Sequence, residues 1–590
     1  MKKWETINKL KVENGKLKVN EIIKLLLENR GIKTKKEIEE FLEPKLEKVN
    51  VKSVGIDEKQ LKKAVNRIQK AIKNKEQIVV FGDYDVDGIC STAILWETIH
   101  GTGANVTPYI PHRIEEGYGL SIKGISNIKN AKSQPKADRP LDEKTKDTTL
   151  IITVDNGIVA NEAVKFANEK GIDVIITDHH VPSNSGLPDA LAIVHTTKLC
   201  GAGVAWALAQ EFKVQSSKFK NRDEKDNKEM LKQVQHDNNE ERHLELVALA
   251  TIADMVPLTG ANRTLVKFGL KALKKTKRAG LIELFKEAAL DPEQIGVYEV
   301  GHIIAPRLNA MGRLEYAMDS LRLLCTKDRL RAQVLADKLG MTNKERQEVT
   351  NNTSNHAKDG VRNNESGIKN LLFVAHETYQ PGVIGLVAGK LVEEFYRPSI
   401  VVSIGEKYSK ASARSVHGFN IIEFIRGSSE LLIDCGGHPM AAGFTVETEK
   451  LEILQTVFEK RAIELLNDEM LKRVLKIDCE IPLSIIDDDL YREIQKLAPF
   501  GMGNPEPTFV SKGAAIEDMR LVGYEKKHLK LRVESGELKI EGIGFGLGEK
   551  ASEIHIGDKV DIVYIIDENA WNGNKDLQLK VKDIKKQSKN

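Results

Sequence analysis

The chain has 590 residues, of which 41% are hydrophobic and 30% are charged, and its formal net charge is only +3. This length exceeds what one hydrophobic core normally supports, so we expect several domains. No apolar run reaches the ~20 residues of a membrane span, and the N-terminus lacks the apolar core of a secretory signal. Five cysteines lie far apart without a C-x-x-C pair, which argues against a disulfide framework or a cysteine zinc site and predicts a reducing cytoplasm.

The predicted elements of the first half are those of an α/β protein. Residues 1–50 are expected to form short helices. From 51 to 325, short β-rich runs alternate with helical stretches, which predicts a largely parallel sheet. The β-rich runs are QIVVF (77–81), TLIITV (149–154), IDVIIT (172–177) and ALAIVH (190–195). Two polar segments with few aromatic residues, near 129–148 and 213–243, are interpreted as surface insertions.

The second half predicts a connector and two smaller domains. Heptad-like apolar spacing over 326–350 predicts a connecting helix. A smaller, glycine-rich α/β domain is expected at 370–450, and alternating strands within 470–590 predict a small β-barrel. The predicted fold class is therefore α/β, with a parallel-sheet domain, a connecting helix, a smaller α/β domain and a C-terminal β-barrel.

The stretch FGDYDVDG (81–88) places Asp83, Asp85 and Asp87 at alternate positions and ends in a glycine. Carboxylates this close repel one another, so a cation is expected beside them. D-x-D-x-D-G also begins an EF-hand calcium loop, but that loop needs a glutamate at its twelfth position, where this chain has Ile94. A β-rich run also stands where an EF-hand has its entering helix. The stretch therefore predicts a metal site of another kind.

Further acids follow the later β-rich runs. TLIITV leads to Asp155, and IDVIIT leads to Asp178, His179 and His180. Singly, each acid could be a strand-end turn or a helix cap, but ligand sites in open parallel sheets lie outside the carboxyl ends of the strands, so these side chains should converge. Asp254 lies in an apolar run and must be paired or ligated. Carboxylates with imidazoles suit Mn²⁺ or Mg²⁺, and so many acids suggest two ions and phosphoester hydrolysis.

Four of these segments, DYDVDG, VDNG, DHH and the late Asp254, resemble in order the motifs of the DHH phosphoesterase superfamily. The resemblance continues to the RecJ family within it through CGAGVAWALA, APRLNAMGRL, PGVIGLVAGKL, SARS, GGHPMAAGF and PFGMGNPEPTF. It covers roughly 60 to 570, apart from the insertions. It implies a DHH domain, a connecting helix, a DHH-associated domain and an OB-fold that grips single-stranded DNA.

The resemblance also implies roles for individual residues at a two-ion site, with Mn²⁺ or Mg²⁺ as the cofactor. The expected ligands of one ion are Asp83, Asp85 and Asp155. The expected ligands of the other are Asp87, Asp155, His179 and Asp254, with Asp155 bridging the two. Asp178 is expected to orient a histidine, and His180 is expected to contact the scissile phosphate.

Substrate-binding residues are expected in two domains. They are Arg113, Tyr118, Arg307, Asn309 and Arg313 in the first, and Ser412, Arg414, Gly436, Gly437 and His438 in the second. Arg113, Ser412 and Arg414 would bind the 5′-terminal phosphate, since the arginine fork pairs two phosphate oxygens, and Tyr118 would stack on a base. The chain departs from the family at Asn156, in place of a cysteine, and at Tyr379 and Gln380, in place of a tryptophan–histidine pair.

The leading hypothesis is a single-stranded-DNA-specific 5′→3′ exonuclease that releases mononucleotides by two-metal hydrolysis in DNA repair and recombination. It would be a cytoplasmic monomer without membrane contacts, with a helicase and a single-strand-binding protein as partners. One alternative is another DHH phosphoesterase that acts on short oligonucleotides or cyclic dinucleotides, and the other is a non-catalytic DNA-binding relative. The predicted barrel disfavours the first alternative, and retention of every acid and both histidines disfavours the second.

Overall fold

The computed structural model describes residues 2–8, 18–113, 115–130, 147–183, 186–219, 242–363, 367–571 and 574–587. Most of both predicted polar insertions lies outside these residues. The chain divides into two compact units, which we call the larger unit (43–347 with 499–504) and the smaller unit (1–42, 348–498 and 505–590). Within the described ranges, no helix is long and apolar enough to cross a membrane.

The larger unit contains a five-stranded parallel sheet. Across the sheet, the strands are Val106–Tyr109, Gln77–Phe81, Thr148–Val154, Asp173–Asp178 and Ala192–His195. In chain order this arrangement is 2-1-3-4-5, as in doubly wound folds, and its switch point lies between Gln77–Phe81 and Thr148–Val154. The sequence did not predict the strand Val106–Tyr109, which contains a proline and lies at a sheet edge, where a missing backbone N–H is tolerated.

Both faces of this sheet are covered by helices. Alternate residues of the strand Gln77–Phe81 belong to different cores: Ile78 and Val80 pack on one face, and Val79 and Phe81 on the other. Burial on both faces explains why the strands are continuous apolar runs. The helices of the larger unit are Val51–Val54, Glu58–Lys73, Val86–His100, Ile122–Asn130, Asn161–Glu169, Gly201–Phe219, Leu244–Ala253, Gly260–Lys274, Ala279–Glu287, Val297–Glu299, Ala305–Leu314 and Met318–Cys325. The long helix Arg329–Arg362 begins in this unit and continues into the smaller one.

The smaller unit contains a second α/β layer. Its five strands, in sheet order, are Leu432–His438, Ala441–Glu447, Tyr408–Arg414, Ser399–Ser403 and Leu372–His376. The helices Ile384–Phe395, Ile421–Arg426 and Leu451–Leu465 accompany this sheet. The strand Leu432–His438 lies at the edge and is mostly exposed.

The smaller unit also contains a barrel. Its strands, in sheet order, are Cys479–Glu480, Phe509–Val522, His528–Ser535, Leu538–Gly544, Asn574–Lys586 and Lys559–Trp571. The barrel closes because Phe509–Val522 also pairs with Lys559–Trp571. At the N-terminus, the strand Lys3–Thr6 pairs with Val474–Ile477, and the helices Val19–Asn29 and Lys35–Leu42 follow. The predicted fold class is confirmed.

Candidate metal centre

Asp83, Asp85 and Asp87 lie where the strand Gln77–Phe81 gives way to the helix Val86–His100. Asp85 caps this helix, and its carboxylate accepts a hydrogen bond from the backbone N–H of Gly88 at 3.0 Å. The helix begins so close to Asp83 that a Cβ at Gly88 would lie 2.6 Å from the Asp83 Cβ. Glycine at this position therefore allows the three acids to share one corner of the sheet.

Asp87 is held by the start of a second helix. Its carboxylate oxygens accept hydrogen bonds from the backbone N–H groups of Gly201 and Ala202, each at 2.7 Å. These are the first residues of the helix Gly201–Phe219, whose positive dipole end favours a carboxylate. The motif CGAGVAWALA carries part of the family resemblance, but the sequence does not predict its contact with Asp87.

Asp155 lies at the centre of the group, just after the strand Thr148–Val154. Its backbone has φ +62°, a conformation that is strained for a residue with a side chain. A Cβ at Gly201 would lie 2.6 Å from the Asp155 Cβ, so the helix start also encloses this acid. Asn156 anchors the turn, since its side chain donates to the carbonyls of Val154 at 2.9 Å and Phe81 at 3.3 Å.

His179 brings the acids from the different elements together. Its Nε2 lies 3.2 Å from Asp155 Oδ1, 3.6 Å from Asp254 Oδ2 and 3.7 Å from Asp87 Oδ2. Although the surrounding acids oppose it, burial lowers the pKa of His179. A neutral imidazole has a lone pair for a metal ion, so His179 fits the role of a ligand.

Asp178 and His180 form a separate pair beside this group. Asp178 Oδ1 lies 2.7 Å from His180 Nδ1, while its Oδ2 accepts a hydrogen bond from the Ile158 N–H at 2.8 Å. Burial by itself would lower the pKa of His180, but the bond to Asp178 outweighs it and raises the pKa to about 9. His180 Nε2 lies 3.1 Å from the Tyr118 hydroxyl, so Asp178 fixes which ring nitrogen is left for other partners.

A cation would relieve the charge repulsion within this group. Burial and the neighbouring carboxylates raise the pKa values of Asp83, Asp85 and Asp155, and they raise the pKa of Asp254 to about 8. Asp83 Oδ1 and Asp155 Oδ1 are buried, and neither accepts a hydrogen bond from any described residue. Three sets have ligand atoms within 4.8 Å of one another: Asp83, Asp85 and Asp155; Asp87, His179 and Asp254; Asp155, His179 and His180. This donor set fits two hard divalent ions.

The other expected substrate residues of the larger unit have varied surroundings. The guanidinium of Arg113 lies 4.9 Å from the centre of the Tyr84 ring, and Tyr118 is half exposed. Arg307 pairs with Glu287 at 2.6 Å, and Asn309 Oδ1 accepts a hydrogen bond from the Val86 N–H at 3.0 Å. Asn309 therefore holds the start of the helix that carries Asp87. Arg313 and Asn309 both lie in the helix Ala305–Leu314. Burial raises the pKa of Tyr84, and the positive charge of Arg313 offsets part of this rise.

The expected residues of the smaller unit lie on neighbouring strands. Ser412 and Arg414 share one face of the strand Tyr408–Arg414, and Arg414 Nη1 donates to Ser412 Oγ at 3.3 Å. Gly385, near the start of the helix Ile384–Phe395, faces both: a Cβ there would lie 2.9 Å from Ser412 Oγ and 3.1 Å from Arg414 Nη2. The structure thus joins a serine, an arginine and a helix N-terminus, a combination that suits an anion.

Gly436, Gly437 and His438 end the exposed edge strand Leu432–His438. Gly437 has φ +140°, and a Cβ there would lie 2.4 Å from the carbonyl oxygen of Ala441, so this position requires glycine. Tyr379, where the family usually has a tryptophan, is buried.

Three family models match the chain. They are "DHH family, N-terminal domain" over residues 77–251, "DHHA1 domain" over 368–464 and "RecJ OB domain" over 477–583. The single-stranded-DNA-specific exonuclease RecJ of Bacillus subtilis is 35% identical over 98% of this chain and 69% of that protein. The protein of the same name from Salmonella typhimurium is 30% identical, over 95% of each.

Solved structures agree with these sequence matches. The crystal structure of RecJ in complex with Mn²⁺ from Thermus thermophilus has a TM-score of 0.79 and 27% identity, and the match covers 100% of this chain and 80% of that one. The complex of the same protein with Mg²⁺ has a TM-score of 0.74 and 25% identity, with 100% and 79% covered.

Proposed function

The chain belongs to the RecJ family, and from that premise we propose that it is a single-stranded-DNA-specific 5′→3′ exonuclease. It would release mononucleotides, in DNA repair and recombination. The observation that carries this proposal is the group of acids and His179 at the switch point of the sheet, with the buried oxygens of Asp83 and Asp155 left without donors. The Thermus relative was solved in complex with Mn²⁺ and with Mg²⁺, and carboxylates with an imidazole suit ions of this kind, which supports the proposal.

We assign the residues to two ions, Mn²⁺ or Mg²⁺, in the way that the family resemblance implies. Asp83, Asp85 and Asp155 would hold one, and Asp87, Asp155, His179 and Asp254 the other. When bound, such a pair lowers the pKa of water and stabilises negative charge on the attacking and leaving oxygens of a phosphodiester.

His180, Tyr118 and Arg113 would orient the substrate. Asp178 holds the Nδ1 side of His180, so that Nε2 can donate a hydrogen bond to a non-bridging oxygen of the scissile phosphate. The Tyr118 hydroxyl also contacts His180 Nε2, and the half-exposed Tyr118 ring could stack on a nucleotide base. Arg113, held against the Tyr84 ring, supplies a positive charge for the phosphate backbone.

Recognition of the 5′ end is assigned to the smaller unit. Ser412, Arg414 and the N-terminus of Ile384–Phe395 lie together, and they would bind a terminal phosphate that carries more charge than an internal one. The exposed backbone at Gly436 and Gly437, together with His438, would contact the strand.

The barrel would grip the single strand, as OB-folds do. As finer parts of the proposal, the protein would act as a cytoplasmic monomer and would receive its substrate from a helicase and a single-strand-binding protein.

The proposal is tested with oligonucleotides labelled at the 5′ or the 3′ end, offered as single or double strands with Mn²⁺. We expect a labelled mononucleotide at once from the 5′-labelled single strand, and no early mononucleotide from the 3′-labelled strand or the duplexes. Rapid release from the 3′ label would reverse the assigned polarity. Binding without release would indicate a non-catalytic relative, and hydrolysis of cyclic dinucleotides alone would indicate the other phosphoesterase class.

A further inference from the structure

Met255, the residue after Asp254, has an unusual backbone. The helix Leu244–Ala253 ends in a Schellman motif, which has two backbone hydrogen bonds. The Met255 N–H donates to the Ile252 carbonyl and the Val256 N–H donates to the Thr251 carbonyl, each at 3.2 Å. In this cap the residue at the position of Met255 takes a left-handed conformation, and glycine is usual there. Met255 has φ +54°, so its side chain imposes strain.

Packing does not compensate for this strain. The side chain of Met255 is 66% exposed, although methionine is a large apolar residue. Lys75 and Ala289 occupy the same cap position after other helices, with φ +52° each, but neither exposes an apolar side chain of this size. Met255 therefore carries both backbone strain and an exposed apolar surface, directly beside an expected metal ligand.

A second exposed apolar residue has the same relation to the site. Val181 directly follows His180 and is also 66% exposed. The ring of Tyr118, half exposed, lies 5.9 Å from the ring of His180. Val181 lies two residues after His179 and Met255 one residue after Asp254, and His179 Nε2 lies 3.6 Å from Asp254 Oδ2. Two exposed apolar residues thus stand next in the chain to His180 and Asp254, on two segments that meet at the site.

We infer that Met255 and Val181 contact the base and sugar of the nucleotide whose phosphate lies at the metal centre, and that this contact helps to select single strands. The inference rests on the proposed function. A phosphodiester held beside His179 and His180 brings its own sugar and base with it, and these are the apolar parts of the substrate. Bases have apolar faces that every sequence shares, so contacts with Met255 and Val181 would be tolerant of sequence.

The contact discriminates against duplexes for a physical reason. In a double strand the base faces are covered by stacking, and exposing one costs a few kcal/mol of unstacking and unpairing. An unpaired terminal nucleotide can present a face at much lower cost. Exposed apolar residues beside the metal centre would thus add a selection that the centre itself, which would contact only phosphate, cannot provide.

The test uses two variants, each with a matched control. Met255→Gly removes the side chain and relieves the strain, and Lys75→Gly makes the corresponding change at a remote cap. Val181→Thr keeps the shape and replaces a methyl group by a hydroxyl, and Val334→Thr does the same at a helix residue that is 69% exposed. Each protein is given single strands with Mn²⁺, either intact or with one abasic residue moved stepwise from the 5′ end, and kcat and KM are measured.

We expect wild type to lose about fivefold or more in kcat/KM when the abasic residue occupies one particular position, from the size of base contacts in other proteins. Met255→Gly and Val181→Thr should be slower than wild type on intact strands and nearly equal to it on that abasic strand, because the contact is already absent. Met255→Gly and Lys75→Gly should both raise Tm, and both controls should retain wild-type kinetics.

Equal losses by Met255→Gly and Val181→Thr on intact and abasic strands would overturn the inference, and so would wild-type kinetics in both variants. Failure of wild type to degrade any single strand would instead contradict the proposed function. A raised Tm together with reduced use of intact strands in Met255→Gly separates a substrate contact from a structural role.

Discussion

The backbone N–H of Leu258 donates to the carbonyl oxygen of Met502 at 2.7 Å. This bond ties the loop 499–504, which is distant in sequence, to the segment just after Asp254. Arg263, which is buried, adds a hydrogen bond from its Nη1 to the Pro499 carbonyl at 3.4 Å. The loop belongs to the same compact unit as the acids, so it helps to hold the backbone that presents Asp254.

We predict that Gly503→Ala weakens this support. Gly503 has φ +72°, and a Cβ there would lie 2.9 Å from the Pro257 Cβ, so alanine adds both strain and a clash. Gly536→Ala is the matched control, since Gly536 has φ +63° and open space around it. We expect the control to lose about 1–2 kcal/mol of unfolding free energy from strain, and Gly503→Ala to lose at least about 1 kcal/mol more from the clash. Chemical denaturation measures both, and equal losses would contradict the role of the loop.

The repulsion within the acid group predicts that Asp83→Asn is more stable than wild type without metal and gains less stability than wild type from Mn²⁺. A carboxyl whose pKa is raised in the fold, such as that of Asp83, contributes stability below its unfolded pKa and loses that contribution as pH rises through the folded value. At pH 7.5 without metal, Asp83→Asn should therefore raise Tm, whereas the exposed control Asp359→Asn should not. Saturating Mn²⁺ should stabilise wild type by about 2.7 kcal/mol at one hundred times its Kd, and Asp83→Asn much less. Thermal unfolding with EDTA or with Mn²⁺ measures these differences. If Mn²⁺ raised the Tm of wild type and of Asp83→Asn equally, Asp83 would not be a metal ligand.

A buried network in the larger unit predicts loss of stability in mild acid. His243 Nε2 lies 2.9 Å from Glu97 Oε2, and Arg278 pairs with the same carboxylate. Burial lowers the pKa of His243 from 6.5, so folding disfavours its protonated form. The contribution of His243 to folding stability is therefore complete above the unfolded pKa of 6.5 and is lost as pH falls below it.

The variant His243→Asn has no titrating ring and retains a residue that tolerates the left-handed backbone at φ +71°. Between pH 7.5 and 5.5, wild type should lose up to about 1.4 kcal/mol more unfolding free energy than the variant. Urea denaturation at both pH values, on metal-free protein, measures this difference. A wild type that loses no more than His243→Asn would show that the histidine is not responsible.

Much of the site could be predicted because its signals are local. The strand Gln77–Phe81 has the predicted bounds, and Thr148–Val154 and Asp173–Asp178 begin within one residue of theirs. The carboxyl ends of parallel strands lie at the same edge of the sheet, so the acids that follow these strands are expected to lie close together. What could not be predicted depends on tertiary contacts. The hydrogen bond from the Gly201 N–H to Asp87 joins positions that are 114 residues apart, so no local sequence pattern encodes it.

The role of Tyr379 shows the same limit. The sequence marks Tyr379 and Gln380 only as a departure from the family's tryptophan–histidine pair. In the structure the Tyr379 hydroxyl lies 2.7 Å from His356 Nδ1, on the long helix Arg329–Arg362. Tyr379 therefore packs between elements of the fold, and only the three-dimensional contacts reveal this.

Gly385 is predicted to control recognition of the 5′-terminal phosphate. Gly385→Ala would place a Cβ 2.9 Å from Ser412 Oγ and 3.1 Å from Arg414 Nη2. Both atoms end flexible side chains, so they should move and leave the fold intact. Gly389→Ala is the matched control in the same helix, with nothing within 4 Å of the added carbon. We expect wild type to prefer 5′-phosphorylated over 5′-hydroxyl strands, Gly389→Ala to keep this preference, and Gly385→Ala to lose most of it.

Arg414→Lys should reduce the same preference, because lysine keeps the charge but lacks the planar fork that pairs two phosphate oxygens. The measurement is the ratio of kcat/KM for the two kinds of 5′ end, which cancels general losses of activity. A ratio equal to that of wild type in both Gly385→Ala and Arg414→Lys would place the phosphate elsewhere. A reduced ratio with unchanged kcat/KM on 5′-hydroxyl strands would show that Ser412 and Arg414 act on the terminal phosphate and leave hydrolysis to the metal centre.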